Sequence, residues 1–475
     1  MERRPRQPCA GCLRSQAQLD LLRAEIHSLR ATVAQLQEQL AQARKDSSTS
    51  SKPPSSDLVK PAPPAPPDGQ AKRAIGGQPG HPRHERPLLP PEQVNGGVHC
   101  HVAEICPDCG HGLQAAELPG RVVQQVDIEA VPLRIEEHRS LAGWCCRCNT
   151  IHYGALPPAI ATGGLAGPRL TALVAYLKGA CHASYSTIRK FLRDLVGVEI
   201  SRGHLANLIN KVSEALDEPY QTLLENLPRQ AILNVDETGH PEGGERWWTW
   251  CFRASLYTIF KIDPTRGGDV LLEVLGREFD GVLGCDYYSS YRRYMRECDV
   301  TVQFCLAHLI RDVKYLATLP DARDRAYGER MRAGLRELFG VIHRRGDLPD
   351  WAFEVRLREA RDHILQQAAT APPTRCSRNL AKRFEKHGEA YFTFVTTPGV
   401  APTNNLAEQA IRFVVIDRLI TQGTRGEKGR RWCERIWTVM ATCSQQGRSV
   451  FEYLSAAVAA HFAAAPAPSL MPTEN

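Results

Sequence analysis

The sequence predicts a multidomain protein with a coiled coil, a small β-rich module, a helical module and an α/β core that contains a helical insertion. Three observations predict this order. Apolar residues recur at heptad spacing near the N-terminus, and helical periodicity returns after residue 305. Between them, four strands are predicted, at residues 231–236, 247–254 and 257–262 and in the run that ends at residue 286. A chain of 475 residues is too long for one hydrophobic core, so several domains are expected.

Residues 19–40 carry a heptad pattern that predicts a dimeric coiled coil. The a and d positions are all aliphatic: Leu19, Leu22, Ile26, Leu29, Val33, Leu36 and Leu40. Such a seam must be buried against another helix, and β-branched residues at two a positions with leucine at d favour a parallel dimer. The alternative is a helix that packs on its own domain.

Residues 46–80 are rich in serine, proline and glycine and predict an extended linker.

The charge of the chain is moderately basic, with 59 lysine and arginine residues against 52 acidic ones and a net charge of +7. This balance favours a polyanionic partner without establishing one.

No apolar run is long enough to span a bilayer. The basic N-terminus leads into no apolar signal core. A cytoplasmic protein without a membrane partner is therefore expected.

Two Cys-x-x-Cys pairs predict a structural zinc site in the β-rich module. The four candidate ligands are Cys106, Cys109, Cys145 and Cys148. Four thiolates supply the closed tetrahedral site that Zn²⁺ prefers. The gap between the pairs is longer than usual, but residues 122–128 and 133–138 alternate as strands do and can form an extended hairpin. The alternative is a set of reduced, buried cysteines; Cys9 and Cys12 share the spacing but have no second pair nearby.

Residues 168–216 show the apolar spacing of helices and predict a module that resembles a helix-turn-helix. Ser201 is a good N-cap for its last helix. As a recognition helix, that segment would present polar residues to DNA, namely Arg202, His204, Asn207, Asn210 and Lys211. The alternative is a helical hairpin that packs its apolar face, because the sequence signal of this motif is weak.

Three carboxylates carry the predicted chemistry. Apolar, strand-like runs end at Asp236 and Asp286, and Glu408 lies at the start of a predicted helix. Mg²⁺ prefers oxygen ligands, and two divalent ions held by shared carboxylates drive in-line displacement at phosphorus. In that scheme Asp236 bridges both ions, and the other two acids each complete one site. The expected cofactors are two Mg²⁺ ions, for which Mn²⁺ can substitute.

Each acid also has an ordinary structural alternative. Asp236 would cap a turn, Asp286 would start the following helix, and Glu408 would hold its own helix at the capping-box position. The nearest rival acids are Glu237 and Asp280. The strand-end placement of both aspartates favours the catalytic interpretation.

A glycine-rich basic loop at residues 423–431 follows the third acid. Basic residues here that can track a phosphate backbone are Arg425, Lys428, Arg430 and Arg431, with Arg412 one helical turn beyond Glu408. The alternative is a solvated loop. Cys305 and His308 have the spacing of metal ligands, but one pair makes no site, and His308 is interpreted as a core residue or a support for the ligands.

Several short motifs occur together and in one order along the chain. They are Ser51-Lys52-Pro53-Pro54-Ser55-Ser56-Asp57, Gly76-Gly77-Gln78-Pro79-Gly80-His81, the paired cysteines, Asp236-Glu237-Thr238, Asp286-Tyr287-x-x-x-Tyr291, Cys305-x-Ala307-His308 and Asn404-Asn405-x-x-Glu408. In these motifs the chain resembles the bacterial insertion-sequence transposases of the sixty-six family, from the coiled coil to about residue 455. It departs from the family pattern at Gln409, where a basic residue is usual, and in the tyrosine motif, which lacks its customary glycine.

The resemblance implies a DDE triad of Asp236, Asp286 and Glu408 on a ribonuclease-H-like fold, with the paired cysteines as a zinc-binding module. It implies a transposase that binds the terminal inverted repeats of its own element, exposes a 3′-hydroxyl by Mg²⁺-dependent hydrolysis and joins it to target DNA. The expected partners are DNA, further copies of the chain and small accessory proteins of the same element. A nucleoid-associated location in the cytoplasm follows.

The expected boundaries are 16–44 for the coiled coil, 45–84 for the linker, 85–158 for the zinc-binding module, 165–225 for the helical DNA-binding module, 228–300 and 401–460 for the two parts of the catalytic core, and 301–400 for the helical insertion. Two other functions stay open. One is a zinc-containing dimeric regulator that binds DNA without cutting it. The other is a coiled-coil scaffold with structural cysteines.

Overall fold

The computed structural model describes residues 10–43, 133–145, 149–153 and 155–472, together with residues 88, 90–93, 108 and 147. The chain divides into two compact units, Ala62–Glu137 and a larger one that joins Met1–Pro61 to His138–Asn475. The predicted linker and the predicted strand at residues 122–128 lie outside the described residues. So do Cys106, Cys109, Cys148 and the side chain of Cys145, so the zinc site stays a prediction.

The N-terminal heptads lie on one helix, α1 (Ala10–Ala43). Its a and d side chains are exposed, and Leu29 and Leu36 are each 58% exposed. Near its end, Glu38 lies 3.7 Å from Arg375 and Ala41 packs against the core. The predicted helix is confirmed. Its pairing with a second chain stays a prediction.

The β-rich segment forms one antiparallel hairpin, β1 (Ala142–Cys145) with β2 (Thr150–Tyr153). The strand predicted at residues 133–138 is wrong, because these residues belong to no strand. Ile135, which the alternation would have buried, is 86% exposed. Alternation alone does not make a strand, since a strand needs a bonded neighbour.

Helix α2 (Pro158–Gly163) precedes the helical module, which contains α3 (Pro168–Gly179), α4 (Tyr185–Phe191), α5 (Arg202–Ala215) and α6 (Asp217–Glu225). A short π-helical stretch extends α4 and ends at Gly197, whose φ of 75° favours glycine. The predicted N-cap is confirmed, because the hydroxyl of Ser201 accepts a hydrogen bond from the backbone N–H of His204 at 3.2 Å. Recognition of DNA by this module stays a prediction.

The α/β core is a five-stranded mixed sheet made of β3 (Ile232–Glu242), β4 (Glu245–Arg253), β5 (Thr258–Asp263), β6 (Val282–Cys285) and β7 (Val302–Phe304). The strand order is β5-β4-β3-β6-β7. β3, β4 and β5 are antiparallel to one another, whereas β6 and β7 run parallel to β3. Four of these strands were predicted; β7 was missed because three residues are too few to show a period.

Ten α-helices between residues 269 and 462 pack around the sheet or belong to the helical insertion. They are α7 (Asp269–Leu275), α8 (Ser289–Cys298), α9 (Leu306–Ala317), α10 (Ala322–His343), α11 (Asp350–Ala369), α12 (Arg375–His387), α13 (Thr393–Thr396), α14 (Asn405–Thr421), α15 (Glu427–Gln445) and α16 (Val450–Phe462). Helices α9 to α13 separate the second and third acids in sequence. Across the described part of the chain, none of the helices combines the length and apolarity needed to cross a bilayer.

Helix α15 covers the edge of the sheet. Three acceptors one turn apart on α15, the carboxylate of Glu434 and the hydroxyls of Thr438 and Thr442, meet backbone N–H groups on β5. The distances are 2.6, 3.1 and 3.2 Å, and the donors are Ile262, Phe260 and Thr258. An edge strand otherwise exposes these donors. Side-chain oxygens of α15 accept the hydrogen bonds that a further strand would accept, and we call this set of bonds the seal.

Replacing Thr438 with valine tests this seal. Valine keeps the shape but leaves the buried N–H of Phe260 without an acceptor, which costs about 1–3 kcal/mol. We expect Thr438→Val to lower the free energy of unfolding in urea by that amount and Thr438→Ser to retain most of it. The control is Thr222→Val at an exposed position. An equal effect of the two valine substitutions would contradict the seal.

Candidate active site

The two predicted catalytic aspartates lie just beyond the paired part of two adjacent strands. β3 pairs in parallel with β6, with Asn234 opposite Gly284. Two residues further along the chain in each case, Asp236 lies within β3 and Asp286 directly follows the end of β6. Adjacent strands are about 4.8 Å apart, and residues two apart share a face. Both carboxylates therefore leave the same face of the sheet.

The prediction that Asp236 ends its strand is wrong. β3 continues to Glu242 because the antiparallel neighbour β4 continues beside it, with Cys251 opposite Asp236. The parallel neighbour β6 stops at Cys285. Asp236 is thus held by a strand on one side and faces the loop of Asp286 on the other.

One asparagine fastens the helix of the third acid to β3. Asn404 directly precedes α14 and is 1% exposed. Its side-chain amide donates to the carbonyl of Val235 at 2.8 Å, and its Oδ1 accepts from Asn234 at 3.0 Å. Its backbone N–H lies 3.1 Å from Sγ of Cys305. Glu408 follows one turn later, and its N–H bonds the carbonyl of Asn404 at 3.2 Å.

The carboxylates repel one another across this site. Burial raises the pKa of Asp236 well above its usual range, and the nearby charges of Glu237, Asp286 and Glu408 raise it further. Burial raises the pKa of Asp286 to about 7, followed by repulsion from Glu237, while a backbone N–H and an arginine oppose the rise. Crowded carboxylates behave in this way when no cation offsets them. A divalent ion would reverse the effect.

Glu237, the nearest rival acid, has a structural role. Its side chain is 1% exposed, and Oε1 lies 2.6 Å from the guanidinium of Arg266. Its other oxygen accepts from the hydroxyl of Tyr291. It adjoins Asp236 in sequence, so its side chain points to the opposite face of β3. Both of its oxygens are used, which argues against a ligand role.

The carboxylate of Glu408 lies between an imidazole and a guanidinium. Its Oε1 is 3.6 Å from Nδ1 of His308, and its Oε2 is 3.6 Å from Arg311. Arg311 also lies 3.3 Å from Nε2 of His308. A guanidinium only donates, so Nε2 accepts and the ring proton sits on Nδ1, facing Glu408. Burial lowers the pKa of His308, and Arg311 lowers it further, which favours the neutral ring.

The side chain of Glu408 does not close a capping box, since the backbone N–H of Asn404, the N-cap of α14, is bonded to Sγ of Cys305. Oε1 of Glu408 is buried and meets no hydrogen-bond partner among the described residues. A buried carboxylate oxygen in this state is costly. It is free to take a cation as a ligand.

A second donor set overlaps this acid. Cys305, His308 and Glu408 each place one ligand atom within 4.8 Å of the others; among the described residues, no group of three such ligands that includes Asp236 or Asp286 is this close. The proton on Nδ1 of His308 opposes metal binding there, because a metal needs that lone pair. The all-oxygen set of Asp236, Asp286 and Glu408 fits a hard divalent ion such as Mg²⁺ better.

The polar residues predicted to bind DNA on α5 differ in their surroundings. Arg202 and Asn207 are exposed, whereas His204 and Asn210 are half-buried. The ammonium of Lys211 lies 3.2 Å from the carbonyl of Gly163 and holds the end of α2. The first two are therefore the most accessible to a partner.

The basic residues near the third acid also differ. Arg412, Arg425 and Lys428 are exposed. Arg430 bonds Glu242 at 2.6 Å and lies over the ring of Trp247 at 4.4 Å. Arg431 pairs with Glu427 one turn away on α15. The loop is thus anchored to the end of β3 and presents part of its charge to solvent.

Sequence interpretation missed the roles of two residues, Asn404 and Arg266. Asn404 was part of a quoted motif but had no assigned task. An asparagine one helical turn before a predicted metal ligand was a usable signal. Arg266 carried no such signal, because its partner Glu237 lies 29 residues away on another element.

Comparisons with known proteins identify the family to which most of the chain is similar. A family model described as Transposase IS66 family matches residues 163–431, more than half of the chain, and includes all three acids. A second, described as a family of unknown function (DUF6444), matches residues 6–87. No curated protein matches the chain.

Substitution of Asn404 tests its hold on α14. Asn404→Ala removes both side-chain bonds to β3 and leaves a buried carbonyl and a buried amide unpaired, at about 1–3 kcal/mol for each such group. We expect a lower free energy of unfolding in urea and faster hydrogen exchange in the first turn of α14. The matched control is Asn405→Ala, since Asn405 is adjacent and exposed. If both variants behaved alike, the role of Asn404 would be refuted.

Proposed function

The chain belongs to the IS66 family of transposases, and on that premise we propose that it is a DDE-type DNA transposase with a ribonuclease-H-like core. Asp236, Asp286 and Glu408 would bind the catalytic ions. The enzyme would bind the terminal inverted repeats of its element, cleave the 3′ ends and transfer them into target DNA. The position of Asp236 and Asp286, each two residues beyond the last paired residues of adjacent parallel strands and each with a raised pKa, supports this proposal most directly.

Each aspartate has one oxygen already oriented by the backbone. Oδ1 of Asp236 accepts from the N–H of Glu237 at 3.0 Å, and Oδ1 of Asp286 accepts from the N–H of Tyr288 at 2.8 Å. These bonds fix the two carboxylates and leave Oδ2 of each for a cation. A pair of bound Mg²⁺ ions would supply a more acidic attacking hydroxyl and stabilise the leaving oxygen.

The protein groups orient the third acid and the DNA. Arg311 and His308 each lie 3.6 Å from the carboxylate of Glu408 and limit where it can point, while Asn404 fixes the helix that carries it. Water attacks the phosphorus first and releases a 3′-hydroxyl. That hydroxyl then attacks a phosphodiester of the target, so one phosphodiester forms as another breaks. No covalent bond between protein and DNA is needed.

Other parts of the chain would serve assembly and DNA binding. Helix α1 would pair with a second copy through its exposed aliphatic seam. A structural Zn²⁺ would be held by Cys106, Cys109, Cys145 and Cys148. The exposed residues proposed to contact DNA are Arg202, Asn207, Arg412, Arg425, Lys428 and Arg431. Small accessory proteins and a nucleoid-associated, cytoplasmic location belong to the same proposal.

Neutral substitutions of the acids test the catalytic assignment. In an excision assay with a plasmid that carries both element ends and Mg²⁺, Asp236→Asn, Asp286→Asn and Glu408→Gln should each lower the rate on the order of 10³–10⁴-fold. DNA binding should persist. The control is Asp280→Asn, an exposed aspartate before the same strand as Asp286. Wild-type excision by the Asp236 and Asp286 variants would rule the assignment out, and binding without cleavage by the wild type would favour a regulator.

Direct metal ligation can be tested by changing the ligand type. Thiolate binds Mn²⁺ better than Mg²⁺ because Mg²⁺ demands hard oxygen ligands. Asp286→Cys should therefore lose excision in Mg²⁺ and regain part of it in Mn²⁺, while Asp286→Ala stays inactive in both. Equal rescue of the two variants by Mn²⁺ would argue against ligation by residue 286.

A further inference from the structure

A cavity of about 580 Å³ opens between α8 and the loop before α7. We call it the arginine cleft, after Arg266, Arg292, Arg293 and Arg296, which line it together with Tyr288 and the two glycines 267 and 268. The sequence did not predict a function for any of these arginines. The catalytic assignment of the three acids does not assign a function to the cleft either.

One face of α8 forms the cationic wall. Arg292, Arg293 and Arg296 follow Ser289 at intervals of three, four and seven residues, so they lie on the same face of the helix. At about 1.5 Å per residue this face is roughly 10 Å long. The helix starts three residues after Asp286. The wall therefore runs directly away from the catalytic acids.

Tyr288 joins the cleft to the catalytic site. Its backbone N–H holds Oδ1 of Asp286 at 2.8 Å. Its ring lies 3.7 Å from the guanidinium carbon of Arg266, which also stacks on Trp248 at 4.7 Å. Arg266 in turn bonds Glu237, the neighbour of Asp236. A strand of DNA in the cleft would thus enter the site from a rigid edge.

The charges in the cleft are only partly neutralised. Arg293 pairs with Asp269 at 3.1 Å and with Glu297 at 2.9 Å. Arg296 is exposed and 3.9 Å from Glu297. Arg292 pairs with no carboxylate among the described residues, and its Nε is buried there without a hydrogen-bond partner. Its guanidinium is held over the ring of Tyr287 at 4.5 Å, so its position is fixed while no carboxylate among the described residues neutralises its charge.

The opposite wall is built to stay close to α8. Ser290 donates to the carbonyl of Arg266 at 2.6 Å. A Cβ atom on Gly268 would come within 3.2 Å of the carbonyl oxygen of Ser290 and 3.6 Å of Arg293. A side chain there would push the walls apart and intrude on an arginine. The cleft is therefore a shaped groove with fixed donors.

We propose that the arginine cleft binds the sugar-phosphate backbone of the DNA strand that flanks the reacting phosphodiester. The inference rests on the proposed transposase function and locates part of its substrate. Guanidinium groups match phosphate oxygens with paired N–H donors. Contacts of this kind position DNA without reading its sequence. The ring of Tyr288 lines the cleft beside these groups, with Arg266 over one of its faces.

Equilibrium binding of the full-length protein tests the cleft. The probe is a fluorescent oligonucleotide of random sequence, single-stranded or duplex, titrated by anisotropy over a range of KCl concentrations without Mg²⁺. Arg292→Ala and Arg296→Ala should each weaken binding about tenfold and reduce the slope of log K against log salt by about 0.7–0.9, the value for one lost phosphate contact. Arg292→Lys should restore the slope.

The control is Arg336→Ala, an exposed arginine on α10 that does not line the cleft. The side chain of Arg296 is 75% exposed, so Arg296→Ala should fold normally, and weaker DNA binding by this variant cannot be ascribed to misfolding. Unchanged affinity and salt slope in both cleft variants would overturn the proposal. The assay needs no catalysis, so its outcome is independent of excision by the Asp236 and Asp286 variants. Failure of the cleft and failure of the catalytic assignment are therefore distinguishable.

Discussion

The hydrogen bonds of Asn404 determine whether a third acid reaches the two aspartates. Asp236 and Asp286 are neighbours because their strands are paired, and strand pairing is set by local register. Glu408 has no such bond to the sheet. Its position depends on the buried side-chain amide of Asn404, which donates to the carbonyl of Val235 and accepts from Asn234. These are the two residues that precede Asp236. A helix start is placed against a strand by two side-chain bonds, and the rest of the site follows from that placement.

Electrostatics limits what this arrangement can do by itself. Burial raises the pKa values of the two aspartates, and neighbouring carboxylates raise them further, so bringing the acids together costs free energy. Arg266 offsets the charge of Glu237 and Arg311 faces Glu408. No comparable cation among the described residues is bonded to Asp236. The protein therefore leaves an excess of negative charge at the place where divalent ions would bind, with cationic side chains arranged around it.

The sequence was most informative where a pattern was local. Apolar runs predicted four of the five strands and placed both aspartates, and serine at 201 predicted a helix start. Sequence-based prediction was wrong or incomplete where a structure depends on a contact with a segment distant in sequence. β3 continues through Gly239 and Pro241, residues that suggest a break, because β4 supplies bonds along it. The alternation at residues 133–138 did not produce a strand. The bond between Asn404 and Asn234 joins residues 170 positions apart, which no local period can show.

The insertion of α9 to α13 shows how the same contacts protect the site. It begins at Leu306 and returns before α14, so it could have separated the second and third acids in space. Its two ends are instead bonded to each other, by the N–H of Leu306 to the carbonyl of Pro402 at 3.0 Å and by the N–H of Asn404 to Sγ of Cys305 at 3.1 Å. The entropy of closing a loop changes slowly with its length. With its ends closed in this way, the insertion can change in length without moving Glu408, whereas loss of the closure would displace the acid at once.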